Sequence, residues 1–365
     1  MLPEKTLAVV AGREETDRED VLDVLRCRQS VIEGLFLRGF RAYPVDILKE
    51  DLLIKGGVTR KLRERSPDCV FNLFEGFGEA SYLEIRFAEI LESMGIPFTG
   101  NPSRALALCL DKDLARRTLE AAGLPVAPGR CVLPGYGRNI AEGLKYPLFV
   151  KPRMEDSSVG IDNRSLVASE DDLPRLLDER LALFPDGLIV EEYIDGREYN
   201  TGFMGSYPYD LMAVSSIRYA PGTGAGSFLG YESKWDTESD EYRNSVSVPE
   251  EDIAAGTRKE IIRLSREAGR VMGCRGYFRV DLRERRGRLY ILEVNPNPDI
   301  NIDSGFAKQS ARRGLSYPSM VARLVHTALD RRALHGRRIP RKYQERVAPG
   351  KKDEGLYGAR TSRSR

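Results

Sequence analysis

The sequence predicts an α/β fold that passes into α+β, and two observations carry that expectation. Residues 1–100 alternate short buried strands with amphipathic helices, the pattern of a parallel sheet with helices packed on it. After about residue 140 the texture changes to longer alternating strands, ending in a plain hairpin. At 365 residues, with 41% hydrophobic and 31% charged side chains, the chain has material for two or three packed domains.

In order, KTLAVVAG reads as a buried first strand ending in glycine, and residues 18–38 have helical periodicity through Val21, Leu22, Leu25, Val31, Ile32 and Leu35. FRAYPVDI and PDCVFNLFEG read as the second and third strands, LEIRFAEILESMG as a helix closed by Gly95, and IPFTG as a short strand. DKDLARRTLEAAGLPVAPG is a helix stopped at Gly123 with Pro125 beyond it. GLKYPLFVKPR is a strand that carries a lysine, and LIVEEYIDGREYNTGFMGS and DLMAVSSIRY read as antiparallel strands. The stretch 220–247 is polar, glycine-rich at its start, and long enough to be a functional loop. A helix is expected over 250–272, then a hairpin, CRGYFRVDLRERRGRLYILEVN, then a last helix over about 316–335. The expected domains are 1–100, 101–188 and 189–335, followed by a tail, 336–365.

Several function classes are disfavoured. The five cysteines (27, 69, 109, 131 and 274) are scattered and form no C-x-x-C pair, which argues against a zinc cluster or a disulfide framework and for a reducing, cytoplasmic setting. Two histidines, His326 and His335, do not suit a zinc enzyme, and no G-x-S-x-G accompanies them for a serine hydrolase. His326 reads as a packing or surface residue. No apolar run has the ~20 residues that a membrane helix needs, and the N-terminus lacks a signal-peptide cleavage pattern. The net charge of +2 hides an asymmetry: from Arg331 onward there are 12 Lys/Arg against 3 Asp/Glu. Such a tail is a solvated extension or a nucleic-acid arm; its few aromatics, Tyr343 and Tyr357, favour the former.

The chemistry concentrates in three places. On the hairpin, Glu293 and Asn295 are two apart and share a strand face, and Asp281 on the partner strand can meet them. Two carboxylates and an amide oxygen make a hard oxygen site suited to Mg²⁺ shared with phosphates. In KPRMEDSSVGI (151–161), a lysine at a strand end precedes a small hydroxyl-bearing loop whose N–H groups can wrap phosphate oxygens. In EEYIDGRE (191–198), acids flank a segment whose backbone can meet an adenine edge, with a carboxylate seven residues on for ribose hydroxyls.

Taken together and in this order, Lys112, Lys151, the SSVG loop, the 191–198 strip, Arg279-x-Asp281 and Glu293-x-Asn295 resemble the ATP-grasp superfamily and, within it, the D-alanine–D-alanine ligase family. The resemblance covers about residues 65–330 and includes YESKW (231–235) and LEVNPNP followed by Ser304. It implies an N-terminal α/β domain and two α+β subdomains that sandwich ATP, and an ATP-dependent carboxylate–amine ligase acting through an acyl phosphate. It further implies ATP and Mg²⁺ or Mn²⁺ as cofactors. Nucleotide-binding residues would be Lys112, Lys151, Ser158, Val159, Glu191, Tyr193, Ile194 and Glu198; metal ligands Asp281, Glu293 and Asn295; catalytic residues Arg279, Lys234 and Ser157; substrate residues Ser304, Asn297 and Glu75. Small amino acids or peptides would be the partners, with a homodimer through the N-terminal domain left open. Departures fall at the first-substrate pocket. AGREETDRED lacks the family's Gly-Gly-x-Ser-x-Glu, Glu75 replaces a histidine and Ala80 an aspartate in EGFGEASY, Trp235 replaces a tyrosine, and Asp299 replaces a glycine. The alternatives are a ligase for another substrate pair and a catalytically silent nucleotide-binding homologue.

Overall fold

The computed structural model describes residues 5–14, 19–78, 80–137, 139–156, 158–219, 245–249 and 253–330. The N-terminal part forms a parallel sheet from β1 (Thr6–Gly12), β2 (Arg41–Ile47) and β3 (Cys69–Asn72), in the order β2-β1-β3. Helix α1 (Glu19–Phe36) joins β1 to β2, the short α2 (Lys49–Leu53) and α3 (Gly57–Arg63) lead to β3, and α4 (Leu83–Met94) follows. β1 reads as an unbroken apolar run because it is central and covered on both faces. IPFTG, expected as a strand, contributes only a single parallel bridge between Phe98 and Val70.

Next come α5 (Ser103–Leu110) and α6 (Lys112–Ala121). Asp111 starts α6 by accepting from the backbone N–H groups of Asp113 and Leu114, and Arg153 pins that same carboxylate from the next sheet. Helix α6 ends at Ala121, with Gly123 in the left-handed region at φ +77°. β4 (Gly129–Val132), β5 (Leu148–Pro152), β6 (Leu166–Val167) and, beyond α7 (Leu173–Leu183), β7 (Leu188–Glu192) form an antiparallel sheet ordered β4-β7-β5-β6. The remaining strands are β8 (Glu198–Gly205), β9 (Asp210–Tyr219), β10 (Ser245–Pro249), β11 (Gly276–Arg285) and β12 (Arg288–Asn295). They make a second antiparallel sheet ordered β10-β9-β8-β11-β12. Helices α8 (Ala255–Met272), α9 (Gly305–Arg312) and α10 (Tyr317–Leu329) complete the described chain. Segment 188–205, which reads as adjoining antiparallel strands, is divided between the two sheets: β7 belongs to one and β8 to the other. The last helix ends at Leu329 and is preceded by the separate α9; the tail lies outside the described residues.

Two apolar layers flank β1. Leu7 and Val9 face Val31 and Leu35 of α1 together with Met320, Val321, Leu324 and Val325 of α10. Ala8 and Val10 face Phe87 and Leu91 of α4 and Phe74. His326 packs its ring 5.5 Å from that of Phe40, in keeping with a packing role. Among the described residues, no helix is long and apolar enough to cross a membrane.

Candidate active site

The two antiparallel sheets meet where the chain before β4 bonds to the edge strand β12. Val126 bridges Ile291, and the Ile291 N–H donates to the Pro125 carbonyl at 2.8 Å. A cleft opens beside this seam, lined by Cys109, Lys112, Ala127, Lys151, Glu191 and Ile291 through Val294.

On the small-sheet wall, Lys151 of β5 and Glu191 of β7 form an ion pair of 2.6 Å with both side chains about 10% exposed. β7 lies so close to β4 that a Cβ on Gly129 would fall 2.6 Å from that of Glu191. Lys112, the first residue of α6, donates from its ammonium to the Glu155 carbonyl and to Asp156 at 3.2 Å. Burial alone would lower its pKa, but the carboxylates of Asp156 and Glu293 outweigh that and raise it. In the loop between them, Ser158 sits at φ +64°, a left-handed conformation uncommon outside glycine, and the Val159 N–H closes a turn onto the Asp156 carbonyl. Ser157 and Lys234 lie outside the described residues, as do Trp235 and most of the 220–247 segment.

On the hairpin wall, Asp281 of β11 pairs in register with Glu293 of β12, and Arg279 with Asn295. Directly opposed side chains have Cβ atoms about 5 Å apart, so both carboxylates and the amide lie on one face of the hairpin. Asp281 is gripped on both oxygens by Arg279 (Nε to Oδ1 2.7 Å, Nη2 to Oδ2 2.8 Å), and Asn200 Nδ2 donates to Oδ1 at 2.7 Å. Burial works against the Arg279 charge, yet the Asp281 carboxylate holds its pKa above the usual arginine value. Asn295 Oδ1 accepts from the Asn297 N–H at 3.0 Å. The donor set is two carboxylates and an amide, all oxygen and already ordered, and it fits a hard divalent cation rather than zinc.

Tyr193, Ile194 and Glu198 are all buried, and one side chain, Arg283, bonds to each of them. Ser304 caps α9, its Oγ accepting from the Ala307 N–H at 3.1 Å. The N-terminal end of this helix is a favourable place for a carboxylate. Asn297 bonds through its side-chain amide to Glu84 of α4. Burial pushes the Glu84 pKa up to about 8, nearby Glu75 adds to the rise, and the Asn297 bond opposes it. Glu75 itself is exposed, at the mouth of this acidic end.

The chain is similar to proteins of known family. A family profile described as D-ala D-ala ligase C-terminus matches residues 120–326. The D-alanine–D-alanine ligase of Geobacter sulfurreducens is 31% identical over 82% of this chain and 87% of its own. This chain belongs to the D-alanine–D-alanine ligase family. The corresponding ligase of Paramagnetospirillum magneticum is 30% identical over 89% of this chain and 98% of its own. The fold matches that of the Bacillus anthracis D-alanine–D-alanine ligase complexed with ATP, with a TM-score of 0.71, 19% identity, and coverage of 94% of this chain and 99% of that one. It also matches the VanG D-Ala:D-Ser ligase from Enterococcus faecalis, with a TM-score of 0.68, 23% identity, and coverage of 89% and 99%.

Within this family member, the site includes residues that the sequence did not single out. Glu84 reads as one more charge on an amphipathic helix, and Asn200 as one more polar residue on a strand. Arg283 has a signal in hindsight: it repeats the two-residue spacing of Arg279 and Asp281, which sets a third charge on the same strand.

Proposed function

We propose that this ligase uses ATP to activate a substrate carboxylate as an acyl phosphate, which a second substrate's amine attacks to form an amide, releasing ADP and phosphate. The observation that carries the reading is the hairpin pairing of Arg279 and Asp281 with Asn295 and Glu293, across the cleft from Lys112 and Lys151. A carboxylate is a poor electrophile, so an activating phosphoryl group is what such a reaction requires. Phosphoryl transfer asks mainly for alignment and neutralised charge. Lys112 and Lys151 supply fixed positive charge at the phosphate end, and Lys234 is the third candidate for that work. Asp281, Glu293 and Asn295 would hold Mg²⁺ or Mn²⁺, which when bound neutralises phosphate oxygens. Arg279 donates to the oxyanion that develops as the amine attacks. The apolar wall around Ile291 and Val294 takes the base, and Glu198 the ribose. Ser304 and the start of α9 receive the second substrate's carboxylate.

The substrates are small amino acids or peptides. Glu75 makes the first-substrate end acidic, and Glu84, largely protonated near neutral pH, adds a hydroxyl donor; together they favour a partner with an additional cationic or hydroxyl group over D-alanine alone. Five free thiols, four of them buried, accord with a reducing cytoplasm. The test is phosphate release across a panel of D- and L-amino acids and dipeptides, with mass spectrometry of products. We expect D-alanine to turn over slowly beside a cationic or hydroxylated partner. A kcat/KM for D-alanine equal to the best in the panel would instead make this a plain D-alanine–D-alanine ligase. ATP binding with no substrate-stimulated phosphate release would refute ligation.

A further inference from the structure

We propose that Arg283 is a positioning residue for nucleotide selection, fixing the Glu198 carboxylate so that the site takes ribonucleotides over deoxyribonucleotides. This rests on the reading of Glu198 as the ribose acceptor. Arg283 lies on the interior strand β11 and is paired in register with Glu198 of β8 on one side and Tyr290 of β12 on the other. It is 4% exposed. Its Nε and Nη2 both donate to Glu198 Oε2, at 2.9 and 2.8 Å. Nη1 donates to the Tyr193 hydroxyl at 2.7 Å and to the Ile194 carbonyl at 3.1 Å. The guanidinium carbon sits 5.1 Å from the Tyr193 ring centre.

Two consequences follow from this geometry. First, Glu198 is 8% exposed, and the two guanidinium N–H groups that converge on its Oε2 set a cation beside this buried side chain and fix the orientation of that oxygen. A lysine would supply charge without that orientation. Second, Tyr193 and Ile194 open the segment that carries the chain from the small sheet to the large one. The same segment is tied again where the Glu284 N–H donates to the Arg197 carbonyl at 3.0 Å. One buried side chain therefore sets both the carboxylate and the adjoining backbone. A hydrogen-bond acceptor built and held for a sugar hydroxyl discriminates against sugars that lack it.

Calorimetry with ATP, 2′-deoxy-ATP and 3′-deoxy-ATP, without amino acid, tests this independently of turnover. Wild-type protein is expected to prefer ATP over the poorer deoxy analogue by about tenfold. In Arg283→Met the preference should fall to within about twofold, with deoxy-nucleotide affinity little changed. Arg283→Lys, which keeps the charge and protects the fold, should lose most of the preference. A folded variant that weakens all three nucleotides equally, or keeps the wild-type preference, overturns the inference. Glu198→Gln separates the two layers. If it leaves the preference intact, Glu198 is not the ribose acceptor and both readings fall. If it removes the preference while both Arg283 variants retain it, only the role of Arg283 falls.

Discussion

Replacing Glu84 by glutamine should flatten the pH dependence of stability between pH 5 and 9. The folded protein holds the Glu84 proton more tightly than the unfolded chain does, because burial and the Glu75 charge raise its pKa from 4.5 to about 8. The stabilisation that comes from this proton is complete below pH ~4.5, declines as pH rises, and is lost once pH passes about 8. The full shift corresponds to a ceiling of about 5 kcal/mol at ~1.4 kcal/mol per pH unit. Glu84 is half-buried rather than sealed off, so water and small rearrangements should reduce the measured effect to about 2 kcal/mol. Glutamine cannot ionise but keeps an oxygen for Asn297. Urea unfolding of the nucleotide- and metal-free protein at pH 5.5, 7 and 9 should then show wild type losing stability relative to Glu84→Gln as pH rises. A difference between the two proteins that is constant across that range would refute the reasoning.

Other perturbations have equally direct readouts. Asp281→Asn or Glu293→Gln should reduce phosphate release by more than about 100-fold while the circular dichroism spectrum is unchanged, since each removes a ligand charge; turnover at the wild-type rate would remove the metal assignment. Lys151→Ala leaves Glu191 buried without its 2.6 Å partner. It should raise the nucleotide Kd and lower stability by about 3 kcal/mol, seen in calorimetry and thermal melts. Asp111→Ala removes both the start of α6 and the anchor for Arg153, with an expected loss of about 2 kcal/mol in denaturant titration.

Much of the architecture is legible from hydrophobic period alone. β1, α1 and the final hairpin declare themselves because each buries an apolar stripe, and β2, an edge strand with only Ile47 buried, is legible from its place after α1. Strand partnership does not. The five residues between β7 and β8 carry the chain across to another sheet, yet the alternation on either side reads the same as for a hairpin. The eight-residue helices α5 and α9 are too short to complete a convincing stripe, and Ser304 reveals its cap only when α9 is in place. The hairpin acids were readable because spacing of two on neighbouring strands fixes a shared face. Asn200, Glu84 and Arg283 depend on contacts made 81, 213 and 85 residues away along the chain, a separation that no local pattern encodes.

The layer beneath the first sheet has a bearing on how the protein is made. Leu7 and Val9 emerge from the ribosome more than 300 residues before Met320, Val321 and Leu324, which cover them. At ordinary synthesis rates the interval is on the order of tens of seconds. During it, one side of a three-stranded parallel sheet has α1 but not the helix that seals it. A nascent chain stalled before Tyr317 therefore presents an oily sheet face to the cell, and binding by a holding chaperone at residues 5–75 should persist until α10 has cleared the exit tunnel. Completion of the packing around the parallel sheet therefore waits on the synthesis of α10.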